Sequence, residues 1–427
     1  MSQSPEAAAT TGNAPVAFAA LRHKDYRRYF FAGMVSMMGD NIEHVISYWV
    51  IWEAFHSPTL AGFAVIGHWA PFLFFGVFIG SLSDKYDSRR IIQASQVLYV
   101  GLSLAWGVLF LTDTIQIWHA VVLLVFHGFA GALNAPASQL IIHDVVGTEH
   151  LQSAVRLNAT SRQLGLFMGP SVGGLLMLVV GPSWGLIINA IVFLPLFFWL
   201  FTVPYTGHLH RAGARRPQTS IKLTQAFSVM REASKNRTIM AMVVLAGVSS
   251  IFVGNAYQAQ MPEFAEDLLA GDGGFLYTML LTANAAGAVS GGFILEGGKL
   301  LKASARSAMV LALLWCVSVI AFAVAPSLMA ALVALFFIGV FNLAFVSMAQ
   351  TLVQLEANPD QRGRVIGLFN MSAQGLRVGS GVSVGVMGAY VGIHWSLGVS
   401  AAIVLALTLG LLAYVTSRKP APSLSQT

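Results

Sequence analysis

The chain has 427 residues, of which 56% are hydrophobic and only 10% charged, against about 25% charged in an ordinary soluble domain. With a mean hydropathy of +0.70 it has too little polar surface to cover a water-exposed globule, so the soluble class is excluded and an outer face meeting hydrocarbon is indicated. The net charge is +6, which bears on nucleic-acid binding only once the bases have been located, and the single cysteine, Cys316, lies in an apolar run and excludes an internal disulfide.

Residues 1–28 lack the charged start and apolar core of a signal peptide and read as a cytoplasmic tail. Twelve apolar runs long enough to cross a bilayer follow: 29–53, 59–82, 91–112, 117–141, 152–180, 184–203, 238–262, 274–296, 305–325, 328–353, 364–391 and 395–416. The first contains MMGDNIEHVIS, in which Asp40, Glu43 and His44 share one helical face at spacings of three and four. Ser36 and Ser47 extend that polar stripe. The second and fourth carry His68 and His127. Between the second and third lies GSLSDKYDSRR, residues 80–90, a charged connector in nearly charge-free surroundings. The fifth carries Arg162 and GLFMGPSVGG, and the eleventh carries Arg377.

The bases set the orientation. Short loops rich in Lys and Arg stay cytoplasmic. Arg22 to Arg28 precede the first span; Lys85, Arg89 and Arg90 follow the second. Arg211 to Arg237 separate the sixth from the seventh, Lys299 to Arg306 follow the eighth, Arg362 and Arg364 precede the eleventh, and Arg418 and Lys419 follow the twelfth. The opposite side carries acids instead, among them Glu263, Glu266 and Asp267. Both termini are therefore expected in the cytoplasm, and the basic balance reflects topology, not nucleic-acid binding. The interior connector 204–237 separates a six-helix half, 29–203, from a second, 238–416, with a tail at 417–427. One offset of 212 residues relates Gly80 and Asp84 to Gly292 and Glu296, and also Gly169 and Gly173 to Gly381 and Gly385, as a duplicated chain would. Parallel halves around a central axis are a transporter plan.

The connector 80–90 resembles the signature loop between spans 2 and 3 of the major facilitator superfamily, Gly-x-Leu-x-Asp-Arg/Lys-x-Gly-Arg-Arg/Lys. Gly80, Leu82, Asp84, Lys85 and Arg89 match; Asp87 and Ser88 depart, and Arg90 restores a base one place later. GLFMGPSVGG, with Gly165, Gly169, Pro170, Gly173 and Gly174, is similar to the span-5 pattern of antiporting exporters in that superfamily, with Leu166 where an arginine often stands. LIIHDVVGTEHLQSAVRLN and LRHKDYRRYF resemble its enterobactin-exporter-like and multidrug-efflux branch. The resemblance implies an all-α membrane protein, twelve helices in two pseudo-symmetric halves. It implies a cytoplasmic gate built from Gly80, Asp84, Lys85, Arg89, Arg90, Asp144, Glu296, Arg362 and Arg364. There Gly80 lets helix 2 approach a neighbour, Asp84 faces the start of helix 11, and Arg89 or Arg90 pairs with Asp144. The span-5 glycines are expected to receive helix 8 across the half-interface.

In that fold, spans 3, 6, 9 and 12 stand away from the cavity, and their apolar cores carry no Asp, Glu, Lys or Arg. Acids held at bilayer depth are costly and mark function. Asp40 is accordingly expected to couple protons, with Glu43 and His44 tuning it or sharing the proton; Glu43 at the outer mouth and Asp40 as a structural ion pair are the alternatives. Arg162 and Arg377 are candidates to neutralise Asp40 or bind substrate. His127, Asn255, Gln258, Asn284, Asn342 and Gln374 are the further cavity candidates, with Trp69 and Tyr257 in an aromatic wall. No metal motif, cofactor site or nucleotide loop is found. The expectation is a monomeric cell-membrane transporter exporting a small amphipathic molecule, a drug or siderophore, in exchange for protons. A symporter or lipid-related transporter of the same fold is one rival. A membrane enzyme or receptor is the other, and it lacks a clustered catalytic set.

Overall fold

The computed structural model describes residues 18–208, 230–231, 233–268, 273–297, 304–357 and 362–416, which fold as helices joined by short turns, with no strand among them. After a 3-10 turn at Ala19–Arg22 come α1 (Lys24–Phe55), α2 (Pro58–Lys85) and α3 (Ser88–Leu111). The run Ile117–Val180 is broken at Gly147, where φ is 65° and ψ −175°. Glycine reaches that geometry at little cost, and the break separates α4 (117–146) from α5 (148–180). Pro182–Val192 and Leu194–Trp199 make α6. Then follow α7 (Arg237–Phe252, continued irregularly through Ala256–Ala259), α8 (Gly273–Gly297), α9 (Ala305–Ala323) and α10 (Leu328–Glu356). α11 starts at Arg362 and ends at Val391, and α12 is Ile393–Thr416.

The helix ends follow from local chemistry. The Ser57, Asn236, Ser304 and Ser327 side chains accept the amides of Leu60, Ile239, Ser307 and Ala330, satisfying donors that each first turn leaves open. Gly181 and Gly392 end α5 and α11 with nearly the same positive φ, 80° and 85°, the corresponding place in each half. Among the described residues nine helices are long and apolar enough to cross a membrane by length and composition. α1, α8 and α11 are also of crossing length.

Among the described residues the close contacts between the two halves gather at one end. A Cβ on Gly62 of α2 would lie 2.6 Å from the Gly381 carbonyl oxygen and 2.7 Å from Gly385 Cα, so only glycine permits this approach. Nearby, Tyr277 donates to the Val45 carbonyl at 3.0 Å and Gln260 to the Pro58 carbonyl at 2.9 Å. One hydrophobic core runs through this end, from Ile42, Val45 and Leu60 in the first half to Tyr277, Leu280 and Val384 in the second. At the opposite end the first half has a core of its own, with Tyr26, Phe30, Ile141 and Trp199. There a Cβ added to Gly76 or Gly80 of α2, or to Gly367 of α11, would have no other part of the described chain within 4 Å. Among the described residues the halves thus diverge toward the end that carries the 80–90 connector.

Two expectations about the close contacts are corrected. Gly165, Gly169 and Gly173 receive α1, not α8: their neighbours are Met34 and Met37, then Asn41, then Ile42. Of the α5 motif glycines only Gly174 meets α8, at Thr278. The glycine face of α5 is therefore a seam within the first half. Gly80 is open and brings α2 against none of the described residues in this conformation.

Candidate functional site

The polar face predicted on α1 converges on one imidazole. His127, contributed by α4, places Nδ1 2.7 Å from Glu43 and Nε2 2.9 Å from Asp40. Both acids and the ring are withdrawn from solvent, with side-chain exposures of 1% for Glu43, 6% for His127 and 14% for Asp40. A neutral imidazole has one N–H, yet both ring nitrogens here face carboxylates. Two hydrogen bonds require either an imidazolium between two carboxylates or a neutral ring with the proton on one acid. Both arrangements hold one proton more than a neutral ring between two carboxylates, and both carry net charge −1. Glu43 is buried and not at an outer mouth.

The surroundings hold these groups in place. The Ser103 hydroxyl of α3 donates to Glu43. Asn189 of α6 donates to Ser103 Oγ and to the Gly39 carbonyl, each at 3.0 Å. Tyr99 of α3 packs its ring 5.1 Å from that of His127. Ser36 donates to Gln96 at 3.0 Å. So α3 and α6, expected to stand apart, supply the polar support. Isolated Ser103 and Asn189 inside apolar runs were the available signal.

His44 extends the network away from α4. Its Nδ1 lies 2.7 Å from the Asp40 carbonyl, which can only accept, so Nδ1 carries the proton. In the neutral ring Nε2 is then an acceptor, and it takes the His68 Nδ1–H at 3.1 Å. His68 in turn packs against Trp69 with ring centroids 4.6 Å apart. Glu43, His44, Ser47, His68 and His127 line a cavity of about 10 Å³, room for one water or a small ion. The three histidines present one ligand atom each within 4.8 Å of one another. They come from three helices, so no local sequence spacing announces the cluster. Hydrogen bonds to carboxylates and to a carbonyl already engage three of their nitrogens.

The basic candidates separate. Arg377, on the 3-10 turn Gly375–Arg377 of α11, stacks over Trp69 at 4.9 Å. Its Nε has no hydrogen-bond partner among the described residues, and neither do Gln374 Oε1, Asn255 Oδ1, Asn284 Oδ1 or Trp69 Nε1. Asn284 Nδ2 reaches the Tyr257 hydroxyl at 3.4 Å, and Gln258 and Asn342 are half-buried on α7 and α10. Arg162 is exposed. Asp40 is thus held by a histidine, and neither arginine is its ion-pair partner among the described residues.

The connector forms a clasp inside the first half. Asp87 caps α3 by accepting the Arg89 amide at 2.9 Å and binds the Arg89 guanidinium at 2.7 Å. Arg89 Nη1 donates to the Val203 carbonyl at 2.6 Å. Asp144 accepts the Gly207 amide at 2.6 Å, and Arg90 donates to Gln93. The expected pairing of Arg89 or Arg90 with Asp144 is replaced by these contacts, because Asp87 stands within two residues of Arg89. Lys85 is exposed. Asp84, Glu296, Arg362 and Arg364 fall outside the described side chains.

Residues 29–381 match the family model described as Major Facilitator Superfamily. Over 174 residues the chain is 21% identical to an uncharacterized MFS-type transporter, YkuC, of Bacillus subtilis, a match covering 40% of each chain. It is also 21% identical over 188 residues to the Staphyloferrin A transporter of Staphylococcus aureus, covering 42% of this chain and 47% of that protein. The matched segments span less than half the length of these relatives. Among solved structures, a bacterial homolog of the human lysosomal transporter Spinster, inward-facing and unoccupied, superposes with a TM-score of 0.71 at 15% identity, over 94% of this chain and 100% of that one.

Proposed function

The chain belongs to the Major Facilitator Superfamily, and from that premise we propose that it is a proton-coupled transporter moving a small organic molecule by alternating access. Membership makes it a multi-pass membrane transporter and not an enzyme. The observation that carries proton coupling is His127 bridging Asp40 and Glu43, 2.9 and 2.7 Å away. Three titratable groups that trade protons at bilayer depth are what a carrier needs to load and release a proton.

The rest of the reading is consistent with this. The bases support placement in the cell membrane with both termini in the cytoplasm. In that orientation the end joined by Gly62 and Gly385 faces outward and the divergent end faces the cytoplasm. The protein works as a monomer, since each half supplies one side of the pathway. The glycine pattern of α5 supports export by antiport, with drugs or siderophores as cargo. A second reading, symport, has one observation in its favour. The cation Arg377 lies beyond His68 and Trp69, and an anion held there would draw a proton onto the acids.

The experiment is accumulation of an anionic and a cationic dye, fluorescein and ethidium, in cells stripped of their own efflux pumps. Wild type, Asp40→Asn and Glu43→Gln are compared at matched surface expression, with and without a protonophore. Export by antiport gives lower dye in wild type only, lost with the protonophore. Symport gives higher dye, again lost with the protonophore. Transport that continues unchanged in both variants removes the acids from the coupling role.

A further inference from the structure

We propose that Arg377 anchors a binding subsite for a carboxylate, so that the transported molecule, on the transport reading above, is a small organic anion with an aromatic or apolar body. A guanidinium at membrane depth is costly without a counter-charge. The two described acids at this depth are engaged elsewhere, since Asp40 and Glu43 hold His127, and no carboxylate lies within ion-pair distance of Arg377 among the described residues. Its Nε is buried without a hydrogen-bond acceptor among them. The group is fixed from one side by the Trp69 ring at 4.9 Å. Stacking on an aromatic face leaves the planar fork of donors free for a bidentate partner. Gln374, one turn earlier, also ends in an unpartnered oxygen.

The backbone around Arg377 has the form of a binding element. α11 is 3-10 at Gly375–Arg377 and π at Gly381–Val386. α7 is interrupted opposite, where Gly254 adopts φ 48° and a Cβ on it would lie 2.5 Å from Ser380 Oγ. Asn255, with its unpartnered Oδ1, sits at that interruption. Two facing helix breaks at bilayer depth occur where they are buried in protein or line a pathway. Arg377 stands at the joint between them, on the side where the halves begin to diverge.

The subsite is tested by binding to the purified full chain, with no transport required. Intrinsic tryptophan fluorescence, to which Trp69 contributes beside Arg377, and thermal unfolding are followed against salicylate, citrate and salicylamide, the last a neutral analogue of the first. Wild type is expected to bind at least one of the two carboxylates saturably and to prefer salicylate over salicylamide by tenfold or more. Arg377→Gln is expected to lose that preference without any fall in Tm, because the residue it replaces has no counter-charge among the described residues. Arg377→Lys retains part of the binding. Trp69→Phe removes the share of the ligand-induced fluorescence change that Trp69 supplies, while the carboxylate still raises Tm. Absence of saturable binding of both carboxylates to wild type, or equal binding to wild type and Arg377→Gln, overturns the proposal. A lower Tm of Arg377→Gln with ligand preference intact identifies a packing arginine and overturns it as well. Because the readout is binding, failure of the proton reading in the dye experiment leaves this result standing, and the reverse holds.

Discussion

His127 shows how one side chain organises a site that its own neighbours in sequence do not reveal. Two carboxylates one helical turn apart on α1 would repel each other in a low-dielectric interior; a ring between them turns one nitrogen to each, so that a hydrogen bond holds each acid. Removing any of the three leaves the others buried with unmatched charge or hydrogen-bonding capacity, which accounts for the support that Ser103 and Asn189 supply. A simpler titration occurs beyond the membrane ends, at Glu263. Burial, reinforced by Asp267 and Glu266, pushes its carboxyl from 4.5 up to about 7, and Oε2 has no partner among the described residues. Its folded-state value lies above its unfolded one. The stabilising protonated form is therefore fully present below about pH 4.5 and lost as pH rises through about 7. Glu263→Gln is expected to unfold at higher temperature than wild type at pH 8, by of order 1 kcal/mol after allowance for solvent. The two proteins should converge near pH 4.5 in a thermal melt. A difference independent of pH would assign the effect to packing.

At the level of elements, the glycines of α5 and α2 have opposite roles that spacing alone does not distinguish. Those of α5 repeat every four residues because α1 lies along that face, and a side chain at Gly169 would overlap Asn41. Gly80 meets nothing else within 4 Å among the described residues. Gly169→Val is therefore expected to lower the yield of monodisperse protein severely. Gly80→Val should leave Tm within a degree or two of wild type while slowing transport, if α2 closes on a neighbour during the cycle. Size-exclusion profiles and melts separate the two classes. A large loss of folded Gly80→Val would mean that α2 is already packed there. The connector teaches a related point. Asp87, which departs from the family pattern, is the residue that caps α3 and holds Arg89, so the departure has a structural function of its own.

For the whole molecule, the distribution of contacts defines one conformational state. Among the described residues the halves share a core at the Gly62 end and part at the other, and the proposed alternating access requires the shared contacts to break. Gly174 and Thr278 face each other there, with a Cβ on Gly174 3.1 Å from Thr278 Cβ, somewhat shorter than the roughly 3.5–4.5 Å a disulfide accepts, so that a small separation of the two helices admits one. Cysteines at both positions, with the buried Cys316 replaced by serine, are expected to cross-link under oxidant and arrest transport, and reductant should restore it. Efficient cross-linking with transport undiminished would exclude opening at this contact.

Composition and hydropathy by themselves determined the class, an all-helical membrane protein, because lipid rewards apolar length whatever the tertiary partners. The i, i+3, i+4 pattern also determined that Asp40, Glu43 and His44 share a face, since helical periodicity is local. What the acids bind was decided only by tertiary structure: His127 lies 84 residues from Glu43 in sequence, and no local rule relates α4 to α1. The same holds for the partner of the α5 glycines and for the stacking of Arg377 on Trp69. Small residues and buried charges state that a close neighbour or counter-group is needed, but which helix supplies it depends on how the bundle is assembled.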